Sequence, residues 1–288
     1  MPFFRPNAYA PRTANSEPRT LNPEPMNRIL LATDLEDTAR NVAAFALSIA
    51  ENLHAKLTVY HAFGKPDLAQ SMLTDAEREA KVLTAMRELI GGITSDSTTD
   101  VHVDYVADID YPGDGIIEQV DKNDYDLVVI GLREASDGGE QFSSLAYRLL
   151  REVETSVLAV PPQASFMGVN EIVFASDVDR ADEVVLEQLQ EWRQGMSAEL
   201  FVVHVYDDEQ DKARATQVMT KWRERYASRP NIHFELMAGD FTEDIGAYVE
   251  KRGGDMLVLQ SHTRGLLGEY LSTAPRPMSR RWYKCRYW

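Results

Sequence analysis

Apolar runs of strand length alternate with amphipathic stretches along most of the chain. The runs LVVIG at 127–131 and MLVLQ at 256–260 are apolar at consecutive positions rather than at alternate ones. Such runs are typical of strands that are covered on both faces, as in a parallel sheet. Between the runs, apolar residues recur at the spacing of one helix face, for example over 42–53. The alternation predicts a doubly wound α/β fold.

The pattern occurs twice in the chain. Two matches are 143 residues apart and a third is 129 residues apart: RILLATD (28–34) with EIVFASD (171–177), AKLTVYHA (55–62) with AELFVVHV (198–205), and DLVVIG (126–131) with DMLVLQ (255–260). Agreement at several places, with a shift that changes by only 14 residues before the last match, is hard to obtain by chance. We therefore predict two tandem Rossmann-like domains with mainly parallel sheets, at 26–162 and 168–274.

Both ends of the chain differ from its body. Residues 1–25 hold six of the 13 prolines, which predicts a disordered leader and makes Met26 a candidate start. Residues 275–288 form a basic, aromatic tail without an aliphatic run, whereas the first repeat ends in TSVLAVP at 155–161. The sequence leaves open whether the tail supplies a fifth strand to the second repeat.

The fifth strand of the first repeat determines the expected assembly. An aliphatic edge strand that stays unpaired is a template for another chain. If the tail covers 155–161, the chain should be a monomer; if it does not, two chains should pair through this strand about a two-fold axis. Because Arg286 suits a ladder of aliphatic side chains poorly, the expectation is a homodimer.

Charge and cysteine content narrow the classes of partner. The net charge is −16, which disfavours nucleic acid and anionic membrane surfaces as partners. The single cysteine, Cys285, excludes an internal disulfide, and no apolar run reaches the roughly 18 residues of a membrane span. These features predict a cytoplasmic protein that binds an unidentified protein partner or a small ligand.

The candidate ligand site lies where the first and fourth strands of each repeat end. In an open parallel sheet, ligands bind beyond the carboxyl ends of the strands, at the point where strand order reverses. Thr33, Asp34 and Gly131 stand there in the first repeat, and Asp177 in the second. The loop GLREASDGGEQFSS, which follows the fourth strand, offers glycines and a helix start whose amides suit phosphate.

These segments resemble the universal stress protein family over nearly all of 26–274, in two copies. The resemblance rests on the strand that ends in Asp34, the LTVYHA strand, and the DLVVIG strand followed by a Gly/Ser loop. It implies a five-stranded Rossmann-like domain. Many members bind ATP between the first and fourth strands, and most act as stress-linked regulators or binding proteins without established catalysis.

The resemblance also implies a set of ligand contacts. Asp34 would meet the adenine or ribose side, and Arg133 with the amides of 143–144 would meet phosphate. Gly131 fits the first glycine of the nucleotide-binding pattern, but Glu134 replaces the second, so the loop is degenerate. The cofactor-binding candidates are Thr33, Asp34, Gly131, Arg133, Gly138, Ser143 and Ser144 in the first repeat, and Asp177, Ser261, Arg264, Gly265 and Ser272 in the second.

The charges of the loop in the first repeat bear on whether it can bind a polyphosphate. Three carboxylates, at Glu134, Asp137 and Glu140, oppose Arg133 in the first repeat and disfavour a polyphosphate unless a divalent cation bridges them. ATP is therefore a candidate cofactor, and Mg²⁺ is expected only with ATP.

The favoured interpretation is a regulatory or binding protein that is not an enzyme. The alternatives are an ATP-binding switch with slow hydrolysis and a partner protein whose own side chains fill its pockets.

Other catalytic and metal motifs are missing from the sequence. The chain has no GxSxG elbow, Walker A loop or HExxH helix, so we predict no catalytic residues and no metal site. His61 and His204 end equivalent strands. Each is either a ligand contact or an imidazole that bonds a neighbouring loop, and the second interpretation is favoured.

Overall fold

A computed structural model describes residues 27–64, 73–94, 100–132, 144–162, 164, 168–179, 182–260 and 281–285. The first half contains β1 (Arg28–Ala32), α1 (Ala39–Asn52), β2 (Lys56–Ala62), α2 (Asp75–Thr94), β3 (Val103–Asp108), α3 (Pro112–Lys122), β4 (Leu127–Gly131), α4 (Ser144–Glu152) and β5 (Ser156–Val160). The second half contains β6 (Glu171–Ala175), α5 (Asp182–Met196), β7 (Glu199–Tyr206), α6 (Glu209–Arg225), β8 (Ile232–Ala238), α7 (Phe241–Arg252), β9 (Met256–Gln260) and β10 (Arg281–Cys285). The predicted leader, 1–25, lies outside the described residues.

The strands form one ten-stranded sheet in the order β3-β2-β1-β4-β5-β10-β9-β6-β7-β8. Neighbouring strands are parallel within each half, and the halves meet at the antiparallel pair β5–β10. In each half the strand order reverses once, between β1 and β4 and between β6 and β9. The predicted fold class, two Rossmann-like units with doubly wound, mainly parallel sheets, is confirmed; the boundaries 26–162 and 168–274 stay predictions.

The repeat in the sequence is also a repeat in backbone conformation. Leu35 and Val178 both have positive φ, at 61° and 52°, although neither is glycine. His54 and Ser197, at the ends of α1 and α5, do the same at 53° and 56°. Left-handed conformations are uncommon outside glycine. Their recurrence at equivalent positions shows that both halves use the same turns.

An aspartate before the fourth strand of each half fixes the start of the first strand. One carboxylate oxygen of Asp126 accepts the backbone N–H groups of Asn27 and Arg28, at 2.9 and 3.0 Å. Asp255 accepts the two corresponding N–H groups at the start of β6, at 2.8 and 3.1 Å. These bonds set β1 beside β4 and β6 beside β9, where the strand order reverses.

The tail supplies a strand, which answers the question that the sequence left open. β10 pairs with β9 as the fifth strand of the second half. On its other side it pairs with β5, with the register Trp282↔Ala159, Tyr283↔Leu158 and Lys284↔Val157. Ladder bonds join backbone N–H and C=O groups, so an aliphatic run is not required. β5 is therefore paired on both sides, which is the case for which the sequence predicts a monomer; the oligomeric state stays a prediction.

The core lies in two layers, one on each face of the sheet. The larger is covered by α1, α2, α5 and α6 and runs through both halves, while α3, α4 and α7 cover the other face. α1 packs against α5 at Gly195, where an added Cβ would lie 2.8 Å from the backbone oxygen of Asn52. The close approach of these helices joins the two halves into one core.

Candidate functional site

A cavity of about 650 Å³ opens at the carboxyl ends of β1, β2 and β4 in the first half. Its walls come from the turn after β1, the first turns of α1 and α3, and one face of α4. β1 and β4 are the strands between which the strand order reverses. The cavity therefore lies where a doubly wound sheet binds its ligands.

Side chains of the turn after β1 hold that turn in shape. Thr33 Oγ1 accepts the N–H of Leu35 at 3.1 Å, and Asp34 Oδ1 accepts the N–H of Glu36 at 3.1 Å. These bonds support the left-handed conformation of Leu35 and leave Thr33 and Asp34 lining the cavity. The structure thus places both predicted residues at the site.

Gly131 ends β4 directly against the first turns of α1. A Cβ at this position would lie 3.0 Å from Cγ2 of Val42, so the side chain of Val42 would have to move by a few tenths of an ångström. Gly131 also lines the cavity. The first glycine of the predicted loop therefore has a packing role beside any contact with a ligand.

Arg148 is a cation at the cavity that sequence reasoning missed. It lies on α4, with one guanidinium nitrogen 2.7 Å from Asp114 and Nε 3.0 Å from Glu152. It approaches the start of α3 so closely that a Cβ at Gly113 would lie 2.7 Å from its Nη1. The sequence contained a signal for Arg148, because it is a basic residue in the helix that follows a glycine-rich loop.

Tyr60 forms the inner wall of the same cavity. Burial raises the pKa of its hydroxyl, and the nearby carboxylates of Asp108 and Asp110 raise it further. Its hydroxyl occupies the space that a side chain at Gly115 would need. Tyr60 therefore stays neutral at physiological pH and packs against α3 at Gly115.

His61 both lines the cavity and bonds the turn after β1. Its Nδ1 lies 2.7 Å from the carbonyl oxygen of Thr33. A carbonyl oxygen only accepts, so Nδ1 carries the proton and donates. The interpretation of this histidine as a loop-bonding residue is confirmed for that nitrogen.

The corresponding turn after β6 in the second half carries its own polar network. Ser176, the counterpart of Thr33, donates from Oγ to the carboxylate of Asp182 at 2.6 Å. Asp182 is 1% exposed. Burial raises its pKa to about 6, opposed by the bond from Ser176 and assisted by the charges of Asp179 and Asp177. The position equivalent to Asp182 in the first half is Ala39, which lines the cavity.

A second part of this network crosses from α6 to the turn after β6. Arg214 donates to the carbonyl oxygen of Asp177 at 3.0 Å and to the carboxylate of Asp211 at 2.7 Å. Asp211 in turn lies 2.8 Å from Nε2 of His204. The turn that carries the predicted contact Asp177 is thus bound to α6 by the protein itself.

The remaining predicted contacts fall mostly in the loops after β4 and β9. Ser144 is the first residue of α4. Arg133, Gly138 and Ser143 of the first half, and Ser261, Arg264, Gly265 and Ser272 of the second, lie outside the described residues. Among the described residues, no group of three or more His, Cys, Asp or Glu is placed to hold a metal ion. No described helix is long and apolar enough to cross a membrane.

Comparisons with known proteins agree on the fold. Residues 26–161 match the model of the universal stress protein family. A universal stress protein from Archaeoglobus fulgidus DSM 4304 has a TM-score of 0.69 at 17% identity, covering 91% of this chain and 98% of that one. A candidate universal stress protein from Pseudomonas aeruginosa UCBPP-PA14 has a TM-score of 0.66 at 16% identity, covering 91% and 93%. No curated protein matches the chain.

Proposed function

Residues 26–161 belong to the universal stress protein family, and from this premise we propose that the chain is a non-catalytic stress-response binding protein whose first half takes an adenine nucleotide. The observation that carries the proposal is the cavity of about 650 Å³ at the carboxyl ends of β1 and β4. Its volume falls in the range of small-molecule and cofactor sites, about 300–1,000 Å³. The charge and cysteine content support a cytoplasmic setting.

The lining of the cavity suits the separate parts of a nucleotide. Apolar walls from Ala32, Val42 and Ile130 can cover a base. The carboxylate of Asp34, at the rim, is an acceptor for ribose hydroxyl groups. Arg148, on α4, is a cation for phosphate. A base, a sugar and a phosphate therefore each have a group of matching chemistry.

The charge balance of the cavity favours a nucleotide that brings a cation with it. Asp34 and Glu36 line the cavity, and Arg148 is already paired with Asp114 and Glu152. A triphosphate entering this setting meets uncompensated repulsion at short range. We therefore expect ATP to bind more tightly with Mg²⁺ than without it.

The absence of a catalytic step is supported by how the polar lining groups are used. Thr33 Oγ1 accepts from the backbone of Leu35, and Nδ1 of His61 donates to the carbonyl of Thr33. A hydroxyl nucleophile needs an adjacent base that accepts its proton. In this geometry the imidazole bonds the backbone oxygen of Thr33 and not its hydroxyl.

Replacing Asp34 with Ala should weaken ATP binding about tenfold, because a ribose hydroxyl would lose its charged acceptor. The matched control is Asp177→Ala at the equivalent position of the second half, which should leave the affinity unchanged. Isothermal titration calorimetry with ATP and Mg²⁺ measures both variants. Native mass spectrometry of protein purified from cells tests whether a nucleotide is retained. No heat of binding at millimolar ATP, with no retained nucleotide, would refute the proposed function.

A further inference from the structure

The first turn of α3 carries backbone N–H groups that the described part of the protein does not bond. Pro112 begins the helix and has no N–H, and the first helical bond runs from the N–H of Gly115 to the carbonyl of Tyr111 at 2.9 Å. The N–H groups of Gly113 and Asp114 lie between them, and neither has an acceptor among the residues that the structure describes. Tyr111, at the N-cap, makes no capping bond and is 76% exposed. This helix is therefore open at its amino end.

The second half caps the equivalent helix end with its own side chains. Its α7 begins directly after Asp240, which is the counterpart of Tyr111. Oδ1 of Asp240 accepts the N–H of Glu243 at 3.1 Å, and a carboxylate oxygen of Asp244 accepts the N–H of Asp240 at 2.8 Å. An N-cap carboxylate satisfies an N–H group that a helix leaves unpaired. The cavity described above lies in the half that leaves this helix end open.

A cation of the cavity lies against the open turn. Gly113 and Arg148 both line the cavity. Two guanidinium nitrogens of Arg148, Nη2 and Nε, lie 2.7 and 3.0 Å from the carboxylates of Asp114 and Glu152. The third nitrogen, Nη1, lies so near Gly113 that a Cβ there would be 2.7 Å away. Glycine at this position therefore lets the guanidinium approach the N–H groups of the turn.

Tyr60 places a hydroxyl beside the same turn. It lines the cavity and is 1% exposed, and its hydroxyl lies where a Cβ of Gly115 would be. That oxygen has no hydrogen-bond partner among the described residues, and the nearby carboxylate of Asp108 accepts from Gln119 at 2.9 Å. Buried polar groups in proteins are nearly always bonded. The hydroxyl of Tyr60 is therefore a donor available to a ligand in the cavity.

We propose that a phosphate group of the nucleotide binds at the first turn of α3. It accepts hydrogen bonds from the N–H groups of Gly113 and Asp114 and from Nη1 of Arg148, and the hydroxyl of Tyr60 is a further donor beside it. The inference rests on the proposed function, because the nucleotide must enter the cavity. N–H groups at a helix start and a guanidinium are both groups that bind phosphate. This phosphate site lies on α3 and α4, apart from the loop after β4 in which the sequence predicted the phosphate contacts.

The carboxylates of this turn influence which nucleotide the site accepts. Asp110 accepts the N–H of Tyr111 at 2.7 Å, and Asp114 is paired with Arg148. Both are therefore engaged by the protein and leave the N–H groups of the turn to a ligand. Together with Asp108 they still oppose a bare phosphate at short range. The site therefore favours a nucleotide whose phosphates carry Mg²⁺.

Tyr111→Asn tests the phosphate site by giving the first half a cap like that of the second. The backbone at Tyr111, with φ −76° and ψ 136°, is extended as an N-cap requires, so an Asn oxygen can accept from Gly113 or Asp114. Because this cap competes with phosphate, we expect the affinity for ATP with Mg²⁺ to fall about tenfold, and the affinity for adenosine to stay unchanged. Isothermal titration calorimetry measures both ligands.

The matched control is Tyr111→Ala, which loses the same exposed ring without gaining a cap and should bind ATP as wild type does. Urea denaturation shows whether the cap has formed, because Tyr111→Asn should then have a higher midpoint than Tyr111→Ala. Weaker ATP binding by the more stable of two variants does not come from unfolding.

A measurement on wild-type protein makes the test independent of the variants. In ¹⁵N-labelled protein, ATP should shift the amide resonances of Gly113 and Asp114, and adenosine should shift them much less. Equal shifts with both ligands, or equal ATP affinities of the two Tyr111 variants although the Asn variant has the higher urea midpoint, would overturn the phosphate site on α3 while the proposed function stands. Wild-type protein that binds neither ATP nor adenosine would overturn both.

Discussion

Tyr283→Pro is expected to lower the free energy of unfolding by about 3 kcal/mol or more, because it places a proline at the centre of the sheet. Tyr283 pairs with Leu158 of β5 on one side and with Val258 of β9 on the other. Proline lacks the N–H that a ladder requires, and both neighbouring strands would lose register with β10. The two halves would then be joined mainly through the α1–α5 contact.

The matched control for this strand is Tyr283→Ala, which keeps the backbone N–H and should cost much less. Chemical denaturation of both variants measures the difference in stability. The proline variant should also form dimers or larger species in sedimentation, because β5 regains the free edge that β10 covers. The wild-type chain is expected to be monomeric. Equal stability of the two variants would contradict a central position for β10.

Asp182→Asn should raise the free energy of unfolding at pH 8 by about 3 kcal/mol more than it does at pH 3. Burial raises the pKa of Asp182 to about 6, from an ordinary value of 3.8. At a pH between 3.8 and about 6, this carboxyl is protonated in the folded protein and ionised in the unfolded chain. Stability is therefore lost as pH rises through the window, and an uncharged amide at this position avoids the loss.

Urea denaturation of wild type and Asp182→Asn at several pH values between 3 and 8 measures this dependence. Asp75→Asn, at an exposed carboxylate of α2, is the control and should change stability by less than about 0.5 kcal/mol throughout. The Asn side chain still accepts the hydrogen bond from Ser176, so the packing of the turn after β6 is kept. A difference between Asp182→Asn and wild type that does not vary with pH would contradict the buried, titrating carboxylate.

Most of the fold could be predicted from the sequence, because the apolar pattern of a strand indicates whether one or both of its faces are covered. Strands covered on both faces are apolar at consecutive positions, as in β4 and β9, and the repeat shows that the same arrangement occurs twice. β10 could not be predicted in this way. Its residues, RWYKC, lack an aliphatic run, and backbone pairing alone leaves no side-chain pattern in the sequence.

The candidate site was predictable at the strand ends and not beyond them. Thr33, Asp34 and Gly131 were found because the fold type determines where parallel strands end. Arg148 was missed because its approach to the cavity depends on the packing of α4 against α3, which a helical pattern does not specify. Asp182 was missed, although the repeat aligns it with Ala39 of the first half. An acid there stands in place of a small apolar residue.

The position of β10 has a consequence for synthesis of the chain on the ribosome. β5 is complete about 120 residues before β10 is translated. At about 5–20 residues per second, the edge of β5 stays uncovered for roughly 6 to 24 s. During that interval, nascent chains on neighbouring ribosomes of one messenger RNA present the same exposed edge to each other. We therefore expect the yield of correctly assembled protein to fall as ribosomes crowd the message.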